Sequence, residues 1–143
     1  MRPWFLVALA LIAATPFSPV RAADPVVVAV KVTGEQHDTM TLEPSPGSVK
    51  AGRVTFKVLN AAKTESHEMI VARVADPKAP LPYDEAKKRV IESKLQALGE
   101  VSKIKPGETK SMTVTMSPGK YLLVCNHTGH YKAGMVAPFE VVK

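Results

Sequence analysis

Hydrophobic and polar positions alternate along much of the chain in short runs divided by proline and glycine turns. Val26 to Thr33 is β-branched and nearly continuous, the pattern of a strand buried on both faces or passing along a sheet edge. Asp38 to Glu43 alternates, with Met40 and Leu42 on one face; Pro44-Ser45-Pro46-Gly47-Ser48 then interrupts regular structure, and Lys50-Ala51-Gly52 supplies a turn. Val54, Phe56 and Val58 alternate with Thr55 and Lys57 in a strand that ends at Asn60. A polar loop follows, and His67 to Val74 resumes strand character with Met69 and Val71 in phase with His67. Three further strands are predicted at Lys110 to Met116, Lys120 to Val124 and Val136 to Val142.

Only one stretch changes period. After a proline-rich connector from Asp76 to Pro82, the residues Tyr83, Ala86, Val90, Ile91, Leu95 and Leu98 recur at helical spacing. Gly99 stands where a left-handed cap would end such a helix. The expected fold is therefore all-β, a two-sheet antiparallel sandwich of seven or eight short strands with one helical insertion lying on it like a flap. No internal repeat is visible.

The first residues follow a different rule. Arg2, an apolar run from Trp4 to Ala14, and Val20-Arg21-Ala22 with permissive residues at the cleavage positions read as a secretory signal over residues 1–22, leaving a single domain over 23–143. The apolar run is shorter than the ~20 residues that cross a bilayer, and no cysteine lies near the cleavage point to carry a lipid. Export to the periplasm, with no integral membrane segment in the mature chain, is the expectation. The 143 residues carry 19 basic and 13 acidic side chains; without Arg2 and Arg21 the balance is 17 minus 13, or +4, a mild bias. Several basic residues (Lys87, Lys88, Arg89, Lys94) share a segment with Glu85 and Glu92, the pattern of a solvated face or of a docking site for an acidic partner. An exported chain without aromatic platforms in a basic groove is not expected to bind nucleic acid, and nothing demands an oligomer, so a monomer is expected.

An oxidising compartment normally pairs cysteines, yet Cys125 is the only one. Its surroundings give it another use. In Cys125-Asn126-His127-Thr128-Gly129-His130-Tyr131-Lys132-Ala133-Gly134-Met135 a thiol, two imidazoles and a thioether fall within one loop. Thiolate and imidazole donors with a weak axial thioether suit copper in an electron-transfer site. Such a site needs a second imidazole from another strand to brace it, and His67, opening a strand just after a loop, meets that need. The expected metal ligands are His67, Cys125, His130 and Met135, holding one copper ion. His127 is left outside the set, as a bystander, a replacement ligand in one oxidation state, or an acid-sensitive neighbour. Met69, Met112 and Met116 read as core.

A histidine early in one strand, then Cys125, four residues, His130, four residues and Met135 resembles the cupredoxin, or blue copper, family, with spacing similar to its rusticyanin-like members. Phe56-Lys57-Val58-Leu59-Asn60 resembles the strand before the first ligand, and the likeness spans about Val26 to Lys143. It implies a Greek-key sandwich, one copper ion cycling between Cu(I) and Cu(II), electron transfer, and a loop histidine near the surface as the electron's exit. Glu68 departs from the pattern, since asparagine or serine often follows the first histidine; its backbone N–H remains a donor for the thiolate. The function expected is a periplasmic carrier of single electrons. A redox partner would dock near His130 on a small apolar rim of Gly129, Ala133, Gly134, Met135, Val136 and Pro138. The alternative is a copper-trafficking protein serving a copper acceptor. A copper enzyme ranks last, because four protein ligands leave no open position for substrate.

Overall fold

Period-two alternation does build most of this molecule. The computed structural model describes residues 23–35 and 39–143, so the secretory segment expected over 1–22 and His37 lie outside the described residues. The elements are β1 (Val26–Thr33), β2 (Thr41–Ser45), β3 (Ser48–Lys50), β4 (Gly52–Asn60), β5 (His67–Val74), β6 (Tyr83–Asp84), β7 (Arg89–Val90), β8 (Gln96–Ile104), β9 (Thr109–Met116), β10 (Gly119–Val124) and β11 (Val136–Val142). One sheet has the order β2-β1-β4-β9 and the other β3-β11-β10-β5-β8. Their inner faces meet over a core that includes Val28, Val30, Val32, Val54, Phe56, Val58, Met69, Val71, Met116, Tyr121, Leu123 and Phe139. Met112 packs against that core as well, so the three methionines read as core belong there.

Two pairings are parallel, β1 with β4 and β11 with β3, so the sandwich is mixed rather than wholly antiparallel. β1 is neither an edge nor doubly buried: it lies between β2 and β4, with Val28, Val30 and Val32 inward and Ala29 and Lys31 outward. β2 runs on through Pro44 and Ser45, where an interruption was expected. It is an edge strand, and proline is tolerated there because an N–H facing solvent is not missed.

The predicted helix does not form. Residues 83–98 hold the two-residue pair β6 and β7, a single 3₁₀ turn at Glu92–Lys94 and the beginning of β8. Three interactions override the helical spacing. The Asp84 carboxylate accepts the N–H groups of Ala86 and Lys87, each at 3.0 Å, making a tight turn. Lys88 adopts φ 52°, which ends any right-handed helix. Residues from Gln96 onward are taken up by the otherwise open edge of β5, whose ladder hydrogen bonds need a partner. Gly99 sits in β8 opposite Val71, not at a helix end; a Cβ there would lie 3.2 Å from Val114 Cγ1.

Part of the apolar stripe nevertheless packs on the sheet, although Ala86 is exposed and Leu98 joins the main core. Leu81 and Val90 are buried with Ile70, Leu122 and Val124 in a second cluster, joined by Tyr83, Leu95, Tyr131 and Val136. This excursion covers the outer face of β5 and β10, so His67 to Ala72 and Tyr121 to Asn126 are buried at every position. Among the described residues no helix is long and apolar enough to cross a membrane.

Candidate metal centre

Pleating decides which residues of β5 and β10 meet inside. The antiparallel register places Val124 opposite Ile70, both on the outer face. One step along each strand, Cys125 and Met69 therefore point inward, and His67, two residues before Met69, shares their face. The intervening Glu68 and Asn126 point outward. After Cys125 the chain turns tightly back: His130 N–H donates to His127 O (3.0 Å), Ala133 N–H to Gly129 O (3.0 Å) and Gly134 N–H to Tyr131 O (3.1 Å). Met135 N–H donates to His130 O and Cys125 N–H to Met135 O, both at 3.0 Å, so the backbone closes on itself around the cysteine and the methionine. Gly134, at φ 101°, faces the Met40 carbonyl oxygen, which a Cβ would approach to 3.2 Å.

Three donor atoms converge inside this loop. His67 Nδ1 and His130 Nδ1 are 3.2 Å apart, and Cys125 Sγ is 3.5 Å from His130 Nδ1 and 4.0 Å from His67 Nδ1. His67, Cys125 and His130 together offer ligand atoms all within 4.8 Å of one another. His67 and Cys125 are 0% exposed, His130 is 5% exposed, and Met135, in the same core cluster as Cys125, is 0% exposed. The Gly34 carbonyl, 3.2 Å from His67 Nε2, can only accept, so it fixes the tautomer with the proton on Nε2 and the lone pair on Nδ1 facing the centre. Gly34 is indispensable there: at φ 126° a Cβ would come within 2.6 Å of Met40 Cγ.

Burial keeps the donors uncharged. It pulls both histidines below the ordinary imidazole range, His130 to about 4, with each other's charge a smaller contribution for His130. Burial pushes the Cys125 thiol up to about 12, opposed by hydrogen bonds from the backbone of His127 and Glu68. The Glu68 N–H thus serves the sulfur as its position after the first histidine implied. Two soft or borderline nitrogen donors and a sulfur, dry and close-set, are poorly matched to hard cations and well matched to copper. A cation held by His67, Cys125 and His130 would supply the charge that displaces the thiol proton.

The outward residues form a second network. Asn126 N–H donates to Glu68 Oε1 at 3.1 Å; Arg89 Nη2 lies 3.6 Å from the same oxygen and His127 Nε2 3.5 Å from Glu68 Oε2. Burial pushes the Glu68 carboxyl up, and Arg89 pulls it back. His127 lies outside the donor trio, its ring tilted by 33° to that of His130 with centroids 5.3 Å apart. The expected apolar rim is only partly a surface: Met135 is fully buried, and Pro138 lies in the middle of β11, opposite Leu122 and away from the loop. Gly34 and Asn126 carried no signal in the sequence, and Arg89 stood only in the basic segment read as a solvated face or docking site, because their roles depend on which chain segment lies beside them. Asn60 stood only in the strand resembling that before the first ligand. It is fully buried, donates from Nδ2 to Glu65 O and Ile104 O at 2.8 Å each, and so shapes the loop leading to His67.

Comparison with known proteins agrees with this geometry. A search among curated protein sequences gives no match. Among solved structures, auracyanin B is similar at 22% identity and a TM-score of 0.61, covering 87% of this chain and 96% of that one. A rusticyanin variant is similar at 18% identity and a TM-score of 0.63, covering 85% and 80%. A multicopper oxidase from Pediococcus acidilactici shares the fold at 14% identity and a TM-score of 0.55 over 87% of this chain but only 28% of its own. Residues 28–142 match the model for copper binding proteins of the plastocyanin/azurin family. The chain, with His67, Cys125, His130 and Met135 arranged like a type 1 copper site, belongs to that family of cupredoxins.

Proposed function

We propose that this protein is an exported one-electron carrier whose ligands are His67, Cys125, His130 and Met135, working in the periplasm after removal of residues 1–22. One observation carries the reading: a thiol and two imidazole nitrogens, brought from two strands and one closed loop, lie within 4.8 Å of each other in a dry interior. Bound copper supplies the one-electron chemistry, alternating between its cupric and cuprous states. The chain supplies a fixed cage. Cys125 gives up its proton to become a thiolate and receives backbone hydrogen bonds; Gly34 holds the His67 ring; the 130–135 hydrogen bonds hold His130 and Met135 in one loop. Because these supports come from backbone and buried groups, little has to move when the charge of the centre changes by one.

A redox partner would meet the molecule where the 127–136 loop reaches the surface, beside His130, at exposed Thr128, Lys132 and Gly134. Copper delivery to an acceptor fits less well, since transfer needs ligands a second protein can reach, and these are buried. The deciding experiment is to load the mature protein with cupric ion and follow its visible spectrum through reduction by ascorbate and reoxidation. An intense thiolate-to-copper band that bleaches and returns with metal retained is the expected result. A colourless complex, or one that yields its copper to a modest chelator on reduction, would point to delivery instead.

A further inference from the structure

Every polar atom of Asn126 is engaged, and most of its partners belong to one short excursion of the chain. Its carbonyl accepts Arg89 Nε at 2.7 Å, its Oδ1 accepts the Val90 N–H at 2.6 Å, and its Nδ2 donates to Val90 O (3.0 Å) and Glu92 Oε1 (2.7 Å). Asn126 thus acts as an extra rung alongside β7, although it lies in the ligand-bearing loop. The same excursion grips that loop further on. Gly129 N–H donates to Lys88 O at 2.8 Å, the Leu81 N–H to Tyr131 Oη at 3.0 Å, and Lys132 Nζ to Glu85 Oε1 at 2.5 Å. Tyr83 and Tyr131 pack with ring centroids 5.8 Å apart.

Apart from its apolar packing on the sheet, the excursion has little backbone pairing of its own. β6 and β7 pair over two residues each, far too few for a hairpin to stand alone in water. Lys88 takes a left-handed conformation disfavoured for lysine at the point where its carbonyl meets Gly129. Arg89 occupies the centre of the arrangement. It reaches Asn126, the residue after Cys125, and Glu68, the residue after His67, and its Nη2 also lies 3.8 Å from Glu92.

We propose that residues 81–92 are a clamp that orders the 126–132 loop before any metal arrives, and that Arg89 is the positioning residue that closes it. By tying together the residues that follow the two strand-borne donors, Arg89 fixes the spacing of His67 and Cys125 from outside the sandwich. The consequence for copper rests on the ligand assignment above; the clamp itself does not.

Amide hydrogen exchange in the metal-free protein tests the clamp directly. Asn126, Gly129 and Val90 should be protected without metal. Arg89→Gln should speed their exchange by about tenfold or more, the scale of losing a hydrogen bond from a charged donor, while amides at the centre of β4 stay unchanged. Glu92→Ala, at a half-exposed position that folding tolerates, should give the same pattern more weakly, and Arg89→Lys should restore part of the protection. In the copper-loaded protein, Arg89→Gln should lower the reduction potential, since a nearby cation is lost, and hasten release of Cu(I) to a chelator; Arg89→Lys should largely keep the potential. Rapid exchange at these amides in the unmutated metal-free protein, or no change in Arg89→Gln, overturns the clamp. Altered exchange with an unmoved potential and unmoved release overturns the positioning role. Failure of the protein to bind copper, with the exchange pattern as expected, would sink the electron-carrier reading and leave the clamp standing.

Discussion

The two faces of the strand pair β5 and β10 carry alternate residues of the same short sequences, yet they do different work. Inward, His67, Met69, Leu123 and Cys125 line the sandwich core and the donor set; outward, Glu68, Ile70, Leu122, Val124 and Asn126 sit beneath the 81–95 excursion. In a plain two-sheet sandwich the outer face would be wet. Here it is a second, smaller core with a polar network along one margin. The comparison teaches that a metal centre built on strands is supported from both sides of the sheet: every inward ligand has an outward neighbour one residue away, and that neighbour can be held by whatever covers the sheet.

The hardest blow to the inner face is Cys125→Ser. It should abolish the thiolate-to-copper band altogether, while the metal-free protein still folds; a surviving intense band would remove Cys125 from the ligand set. Next comes the pair Leu123→Ala and Leu122→Ala, inner and outer neighbours that are 0% and 3% exposed. Both should destabilise the metal-free protein by roughly 2–5 kcal/mol in urea unfolding. An outer substitution costing under about 0.5 kcal/mol would mean that the excursion does not cover the sheet in solution.

A pH effect of the same order is expected from the inner face. In the unfolded chain His130 takes a proton near 6.5, whereas burial lowers it to about 4 in the folded protein. Between those values the unfolded state binds more protons, so stability rises with pH across that window. It is complete above 6.5 and is lost as pH falls toward 4, by up to about 3 kcal/mol. His67 and His127 shift in the same direction and add to the loss, whereas the Glu68 carboxyl, raised by burial, opposes it. Denaturant midpoints of metal-free Glu68→Gln from pH 4 to 7, with the opposing carboxyl removed, would show it, and a flat profile there would contradict a dry, neutral pair of rings.

The smallest effect belongs to His127, which touches both networks but anchors neither. His127→Ala should leave the visible band largely intact and shift stability by about 1 kcal/mol or less, read from the spectrum and from thermal unfolding. Loss of the band would make His127 a ligand and redraw the inner set.

The inward face was largely legible from residue order. His67, Met69 and Val71 are in phase with one another, β4 and β11 follow their alternation, and the spacing of Cys125, His130 and Met135 matches a closed loop that the backbone hydrogen bonds then complete. The outward support was not legible. Tyr83, Val90 and Leu95 have helical spacing, and their packing on the β-core as a flap was rightly anticipated, but as turn and strand rather than helix. Their spacing records only that they are buried on one side. What settles their conformation is the vacant edge of β5 and the side chain of Asn126, neither of them local to the segment.

By itself, then, the sequence determined the sandwich, the inward parity of its strands and the identity of the donors, because strand period and donor chemistry are properties of residues close together in the chain. Only the tertiary structure decided how far the donors stand from one another, which tautomer His67 holds, and what lies over Glu68 and Asn126. Those depend on atoms brought together from Gly34, Arg89 and the 125–135 loop, and no short-range pattern encodes which distant backbone will supply a hydrogen bond.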